Sequence, residues 1–303
     1  MRRSAGGFLG LVLAVAAALT PIAADVTFAP PALAAGQPAD TPARTGVPGN
    51  IAVIGDSIST ATGTGNLGAE MDENSWVTGT NGTVNSMRDR LGIPAANAYT
   101  LAANGERMTD FVAQANSAPL NTQYVVVELG GNDLCRPSVG EMTSVATYRA
   151  QFRAGLQALA ARVPDALVFV ASVPDIYNLW YLRGAPSSVN PNVAADTDQE
   201  GQARLYWDNG LVDVIPCKSL LENPTSTSAP DEARRQQVRS RNLAFNDVLA
   251  EECGAVLRCR FDDHAFFNQS SNRLNPPDGP LAPYASWWFR DIDISHNYGT
   301  FRI

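Results

Sequence analysis

The 303-residue chain contains two histidines, His264 and His296. That scarcity excludes a histidine-rich metal centre and leaves any imidazole base two places to be. Its four cysteines, Cys135, Cys217, Cys253 and Cys259, include no Cys-x-x-Cys pair, so a zinc knuckle is not expected, nor is any other metal or cofactor. Positive charge is in short supply: 22 basic residues face 30 acidic ones, a formal net charge of −8. This disfavours nucleic acid and anionic membrane surfaces as partners. Internal repeats are absent, which excludes a solenoid. The apolar run from Phe8 is broken by Thr20, Pro21 and Asp25 before it reaches the roughly 20 residues a membrane span needs. Stable membrane insertion is therefore not expected.

That interrupted run follows Arg2 and Arg3 and precedes Pro30, Pro31 and the small-residue site Ala32-Leu33-Ala34. Residues 1–34 read as a cleavable signal peptide, which implies a secreted, extracellular product. Their removal leaves 20 basic and 29 acidic residues, a charge of about −9. Residues 35–48, rich in Ala, Pro, Gly and Thr, read as a flexible leader. The remainder, 49–303, is expected to form a single domain, because 45% apolar content supports one sizeable core. In an exported chain an even cysteine count suggests two disulfides, with three connectivities open. Cys253–Cys259, stapling a turn between helix and strand, and Cys135–Cys217, tying an insertion to the loop after a central strand, are favoured.

Short apolar runs rich in β-branched residues recur at Ile51–Ile54, Ala98–Leu101, Tyr124–Leu129, Ala166–Ala171 and Val256–Phe261. Each has the length of a buried parallel strand. Val145, Tyr148, Phe152, Leu156, Leu159 and Val163 fall on one helical face, and a second helix is expected from about Asp231 to Cys253, with Val238, Phe245, Val248 and Leu249 inward. Strands alternating with helices predict a doubly wound α/β fold with a parallel sheet, whose ligands bind at the carboxyl ends of the strands. Ile176–Ser228 and His264–Arg290 fit the alternation poorly and read as long loops over that edge. Their rings, among them Tyr177, Trp180, Tyr181, Tyr206, Trp207, Phe266, Phe267, Tyr284, Trp287, Trp288 and Phe289, either wall a cleft or form satellite cores beneath the loops.

The chemistry-bearing segment is Ile51-Ala-Val-Ile-Gly-Asp-Ser57, a strand running straight into Gly55-Asp56-Ser57. A serine just past a strand end presents its hydroxyl at the ligand edge. The hydroxyl needs a base, and His296 stands three residues after Asp293, a spacing that lets a carboxylate orient the ring. His264, after Asp262 and Asp263, is the rival. Acyl transfer also needs donors for a developing oxyanion. The Tyr124–Leu129 strand leads into Gly130-Gly131-Asn132-Asp133, and the Ala98–Leu101 strand leads to Asn104-Gly105. With the backbone N–H of Ser57, Gly105 and Asn132 make three candidate donors.

These residues resemble the GDSL, or SGNH, hydrolases. The blocks occur in order across roughly 50–298: the nucleophile block on Gly55-Asp56-Ser57-Ile58, with isoleucine in place of the usual leucine; the glycine donor on Gly105; the Gly-x-Asn-Asp block on Gly130–Asp133; and the Asp-x-x-His block on Asp293 and His296. Gly130-Gly-Asn-Asp-Leu-Cys135, with Ser295 before His296, is similar to the secreted lipase and phospholipase-B-like branch. The resemblance implies a flavodoxin-like fold with helices on both faces, a catalytic triad of Ser57, Asp293 and His296, and a small-molecule or lipid ester as substrate. One departure is that the family continues past the histidine with a proline and a closing helix, whereas this sequence ends at Ile303. Two alternatives follow: a carbohydrate O-deacetylase of the same fold, or a secreted binding module with impaired catalysis. Asn81-Gly-Thr83 and Asn268-Gln-Ser270 have the form of glycan acceptors.

Overall fold

The computed structural model describes residues 46–62, 64, 69–183, 185–189 and 217–272. The chain divides at Gly46, and the described residues all belong to the second unit. The signal-peptide reading falls wholly outside them.

Five strands form one sheet: β1 Ile51–Gly55, β2 Ala98–Thr100, β3 Tyr124–Glu128, β4 Leu167–Val170 and β5 Cys259–Phe261. Every pairing is parallel and the order is β2-β1-β3-β4-β5. Strands β2 to β5 lie within the runs that the sequence marks, and β1 extends its run by one residue, Gly55. The helices, in chain order, are α1 Met87–Arg90, α2 Phe111–Ser117, α3 Gly131–Leu134, α4 Val145–Arg162, α5 Tyr177–Arg183, α6 Lys218–Leu221, α7 Ala229–Gly254 and α8 Ala265–Asn272.

Strand alternation sends side chains to two cores, as a sheet covered on both faces requires. Ile54, Val125, Val127, Val168 and Val170 join a cluster with Phe111 of α2, Phe152 and Leu156 of α4, and Phe245 and Val248 of α7. Ile51, Val53, Tyr124 and Val126 point the other way, onto Trp76, Met87 of α1 and Phe266 of α8. This is the doubly wound α/β architecture.

The long helices start where their caps dictate. Ser144 Oγ accepts from Thr147 N–H at 3.1 Å to open α4, and Ser228 Oγ accepts from Asp231 N–H at 3.4 Å to open α7. Val163 ends α4 because Pro164 follows it. Tyr148 of α4 stacks on Phe245 of α7 with ring centroids 3.8 Å apart.

Two loop readings are corrected. The segment Ile176–Ser228 carries α5 and α6, and His264–Arg290 opens with α8; residues 190–216 and 273–303 lie outside the described ones. The cause is burial of the rings. Trp180 is buried, donates from Nε1 to the Pro224 carbonyl at 2.7 Å and lies beneath the Arg235 guanidinium at 4.0 Å. Tyr177 packs edge-on against Trp180, while Phe266 and Phe267 are buried and Phe266 meets Trp76. Trp180, Phe266 and Phe267 are thus core residues of helices, and Tyr177 packs half-buried against that core.

Both favoured disulfides are present, Cys135–Cys217 and Cys253–Cys259. The first ties the end of α3 to the start of α6, and the second ties the last turn of α7 to β5. Among the described residues no helix is long and apolar enough to cross a membrane.

Candidate active site

Three loops leave the sheet side by side at the carboxyl ends of β2, β1 and β3. Gly55 pairs with Glu128 across β1 and β3, so Ser57 and Gly130, each two residues further on, emerge next to each other at about one strand spacing, ~4.8 Å. Past β2 the chain stays beside β1: Leu101 N–H donates to the Val53 carbonyl at 2.8 Å and Ala103 N–H to the Gly55 carbonyl at 3.4 Å. Gly105 follows two residues later with φ +83. The Ser57, Gly105 and Asn132 segments thus share one edge, the edge where such sheets bind ligands.

The turn that carries Ser57 is closed by its own backbone. Ser59 and Thr60 N–H both donate to the Asp56 carbonyl, at 3.0 and 3.1 Å. Gly55 has no room for a side chain, since a Cβ there would lie 2.2 Å from Ser59 Oγ and 2.9 Å from the Glu128 carbonyl. Gln114 of α2 clasps Gly55 from both sides, accepting from its N–H at 2.8 Å and donating to its carbonyl at 3.0 Å. Ser57 itself stays partly exposed at this edge.

Asn132 lies in the first turn of α3. Its Nδ2 donates to Asp56 Oδ2 at 3.2 Å and to the Glu106 carbonyl at 2.9 Å. One amide therefore touches the serine turn on one side and the Gly105 loop on the other. Gly130 makes this approach possible: φ is +138, and a Cβ would meet Val173 Cγ2 at 2.6 Å and Tyr148 Oη at 2.7 Å. Asp133, buried behind Asn132, accepts from Met108 N–H at 2.8 Å and Thr143 Oγ1 at 2.7 Å, which locks α3 to the segment after Gly105.

Under the site lie three buried carboxylates, Asp56, Glu128 and Asp133. Burial pushes Asp56 up to about 7, with Asp133 adding to the rise and the Ile58 N–H opposing it. Burial likewise raises Asp133, against its bonds from Thr143 and Met108. Burial also raises the Tyr148 hydroxyl well above its usual range, reinforced by Asp133, Glu128 and Asp56. Glu128 accepts from Ser59 Oγ at 3.1 Å.

His264 sits elsewhere. It follows β5, three strand places from β1, which is about 14 Å across the sheet. Its ring packs edge-on against Phe261, and its N–H donates to Asp262 Oδ1 at 3.1 Å, in a turn with φ +53 at Asp263 and +61 at His264. Asp262 also accepts from Phe266 N–H and Ser172 Oγ, so the turn serves to start α8. Asp293 and His296 lie outside the described residues. The clasp by Gln114, the Glu128–Ser59 pair and the Tyr148 roof of Gly130 have no sequence signal, whereas Asp133 stands in the Gly-Gly-Asn-Asp motif itself.

No curated protein matches the chain. Among solved structures it is similar to an extracellular lipase from Streptomyces rimosus, at 16% identity over 68% of this chain and 76% of that one, with a TM-score of 0.35. It is also similar to phospholipase A1 from Streptomyces albidoflavus, at 15% identity over 80% and 97% of the two chains, with a TM-score of 0.41. A family two carbohydrate esterase from Clostridium thermocellum matches at 16% identity over 71% and 67%, with a TM-score of 0.32. The model for GDSL-like lipases and acylhydrolases matches residues 51–268, from the first strand through α8. With Gly55-Asp56-Ser57 and Gly130–Asp133 both inside that span and on one sheet edge, the chain belongs to the GDSL-like lipase/acylhydrolase family.

Proposed function

We propose that the protein is a secreted hydrolase of carboxylic esters that works through an acyl-enzyme on Ser57. Residues 1–34 serve as its signal peptide, 35–48 as a leader and 49–303 as the hydrolase domain. The observation that carries this reading is the joining of the Ser57 turn and the Asn132 amide by Asp56 at one sheet edge. His296, oriented by Asp293, takes the proton of Ser57 as Oγ attacks the acyl carbon. The N–H groups of Ser57 and Gly105 and the amide of Asn132 receive the negative charge on the acyl oxygen. His296 then hands the proton to the leaving alcohol, and water, activated by the same base, releases the acid.

An acyl ester of a lipid or another apolar alcohol is the substrate class favoured over a sugar ester. Of the described rings in the two segments first read as loops, Trp180, Phe266 and Phe267 are buried and Tyr177 and Tyr181 pack against the core, which leaves few flat ring faces for a sugar to stack on. The test is hydrolysis of p-nitrophenyl esters from acetate to palmitate by the secreted form, beside Ser57→Ala and with a chelator in parallel. Activity that disappears in Ser57→Ala, ignores the chelator and rises beyond acetate supports the proposal. Activity confined to acetate would favour a deacetylase, and a silent wild type a binding module. Asn132→Ala is expected to lose roughly 10²–10³ in turnover; unchanged turnover would remove Asn132 from the oxyanion site.

A further inference from the structure

The Asp56 carboxylate has two oxygens with separate tasks. Oδ1 accepts from Ile58 N–H at 2.9 Å, one residue past Ser57. Oδ2 accepts from Asn132 Nδ2 at 3.2 Å. The other proton of that amide goes to the Glu106 carbonyl at 2.9 Å, so two acceptors on opposite sides fix the plane of the amide. The Asp56 contact is long for a charge-assisted bond, and its proton is the one an incoming acyl oxygen would share. Asp56 is 1% exposed, and a Cβ on Gly131 would stand 3.5 Å from Oδ2, so α3 closes over it.

We propose that Asp56 is a positioning residue for the ester chemistry: its ionised carboxylate holds the serine turn and the Asn132 amide at once. This rests on the acyl-enzyme reading given above. Both tasks use the carboxylate as an acceptor. A proton on Oδ2 puts a hydrogen where the Asn132 amide already points one, which frees the amide to turn and misaligns the donor.

The groups around Asp56 make that proton available. Asp133 faces it from α3, Glu128 lies at the end of β3, and Tyr148 of α4 responds to all three carboxylates. From the loop after β2, Glu106 presents its carbonyl to the same amide, with its own carboxyl raised by burial and by Asp110. Arg107 eases Asp133 and Glu106 downward and is not among the causes acting on Asp56. Burial beside this negative charge brings the Asp56 titration to about 7. Activity then requires two groups to lose a proton on the acid side, Asp56 and the histidine base.

The experiment pairs kinetics with a spectroscopic readout. In kcat/KM for p-nitrophenyl butyrate against pH, the wild-type acid limb is expected to fall with a two-proton slope and that of Asp56→Asn with a one-proton slope. On the alkaline plateau Asp56→Asn is expected to lose up to about 10²-fold in kcat with KM little changed, the cost of a misplaced donor. The second readout needs no change at Asp56. In Ser57→Ala protein labelled in asparagine, the Asn132 side-chain amide, identified by its loss in Asn132→Ala, should shift with a midpoint near that of Asp56. A purely structural Asp56 leaves that amide flat. A flat Asn132 amide between about pH 5 and pH 9, or a folded Asp56→Asn with wild-type kcat and slope, overturns the proposal. If Ser57→Ala hydrolyses ester like the wild type, the acyl-enzyme reading fails instead, and positioning for ester chemistry fails with it even where the amide titrates.

Discussion

A carboxylate buried beneath the serine turn is a liability to the fold, and Asp56 illustrates the tension. Its folded value lies near 7 against 3.8 for the free group, raised first by burial. For a raised group the stabilising share is present below the unfolded value and is lost as pH rises from about 4 through about 7, on the order of 4 kcal/mol in all. Asp56→Asn is therefore expected to unfold at higher temperature than the wild type at pH 8 while turning over more slowly. Thermal melts at pH 8 check this, and a lower melting point in a folded variant would contradict it. Gly130 carries the opposite prediction. Gly130→Ala forces a Cβ against Val173 and Tyr148 at φ +138, and denaturant unfolding should show a loss of about 2–4 kcal/mol.

Among the elements, α7 best shows what the sequence displays and what it hides. Val238, Phe245, Val248 and Leu249 recur at helical spacing and are buried, so the helix was legible from its apolar stripe. Arg235, Asn242 and Asn246 lie on the same buried face, and polar residues leave no mark in a hydrophobic period. The two asparagines work on the loop after β4: Asn246 Oδ1 accepts from Val173 N–H at 2.8 Å, Asn242 Oδ1 accepts from Ile176 N–H at 3.2 Å, and both amides donate to the Val173 carbonyl. Asn246→Ala should cost about 1–3 kcal/mol by leaving the buried Val173 N–H without its acceptor, as chemical denaturation would report. The central strands β1, β3 and β4 were legible for the complementary reason that both of their faces are largely apolar. Helices α5 and α8 were not, because runs of rings such as Tyr177, Trp180 and Tyr181 satisfy a loop over a cleft as readily as a buried turn. Only packing against Arg235 and Trp76 distinguishes the two. In the site, Ser57, Asn132 and Gly105 could be read from motifs after strands, but the Asp56 bridge could not, since it joins residues 76 positions apart.

At the scale of the molecule, the two disulfides have unequal consequences. Cys135–Cys217 closes a span of 82 residues and Cys253–Cys259 a span of 6; loop-closure entropy assigns them about 4.5 and about 2 kcal/mol. Cys135 follows directly on the helix bearing Asn132, and Ser219 Oγ donates to the Leu134 carbonyl at 2.8 Å beside it. Replacing Cys135 and Cys217 by serine is expected to lower both the melting temperature and turnover, whereas replacing Cys253 and Cys259 lowers the melting temperature less and leaves turnover near wild type. Carboxylates with cationic partners set the acid side of stability. Burial works upward on Glu252, yet Arg153 and Arg149 hold it below its ordinary value. Its contribution is present above that value and is lost as pH falls through the lowered one.

Ser57 is the proposed nucleophile, and a fluorophosphonate reads that role at the residue itself. Intact protein treated with the probe, digested and read by mass spectrometry should carry one adduct on the peptide containing Gly55-Asp56-Ser57, absent in Ser57→Ala and formed more slowly in Asn132→Ala. Ester hydrolysis that persists with no adduct on Ser57, or an adduct on another residue that abolishes it, would contradict the claim.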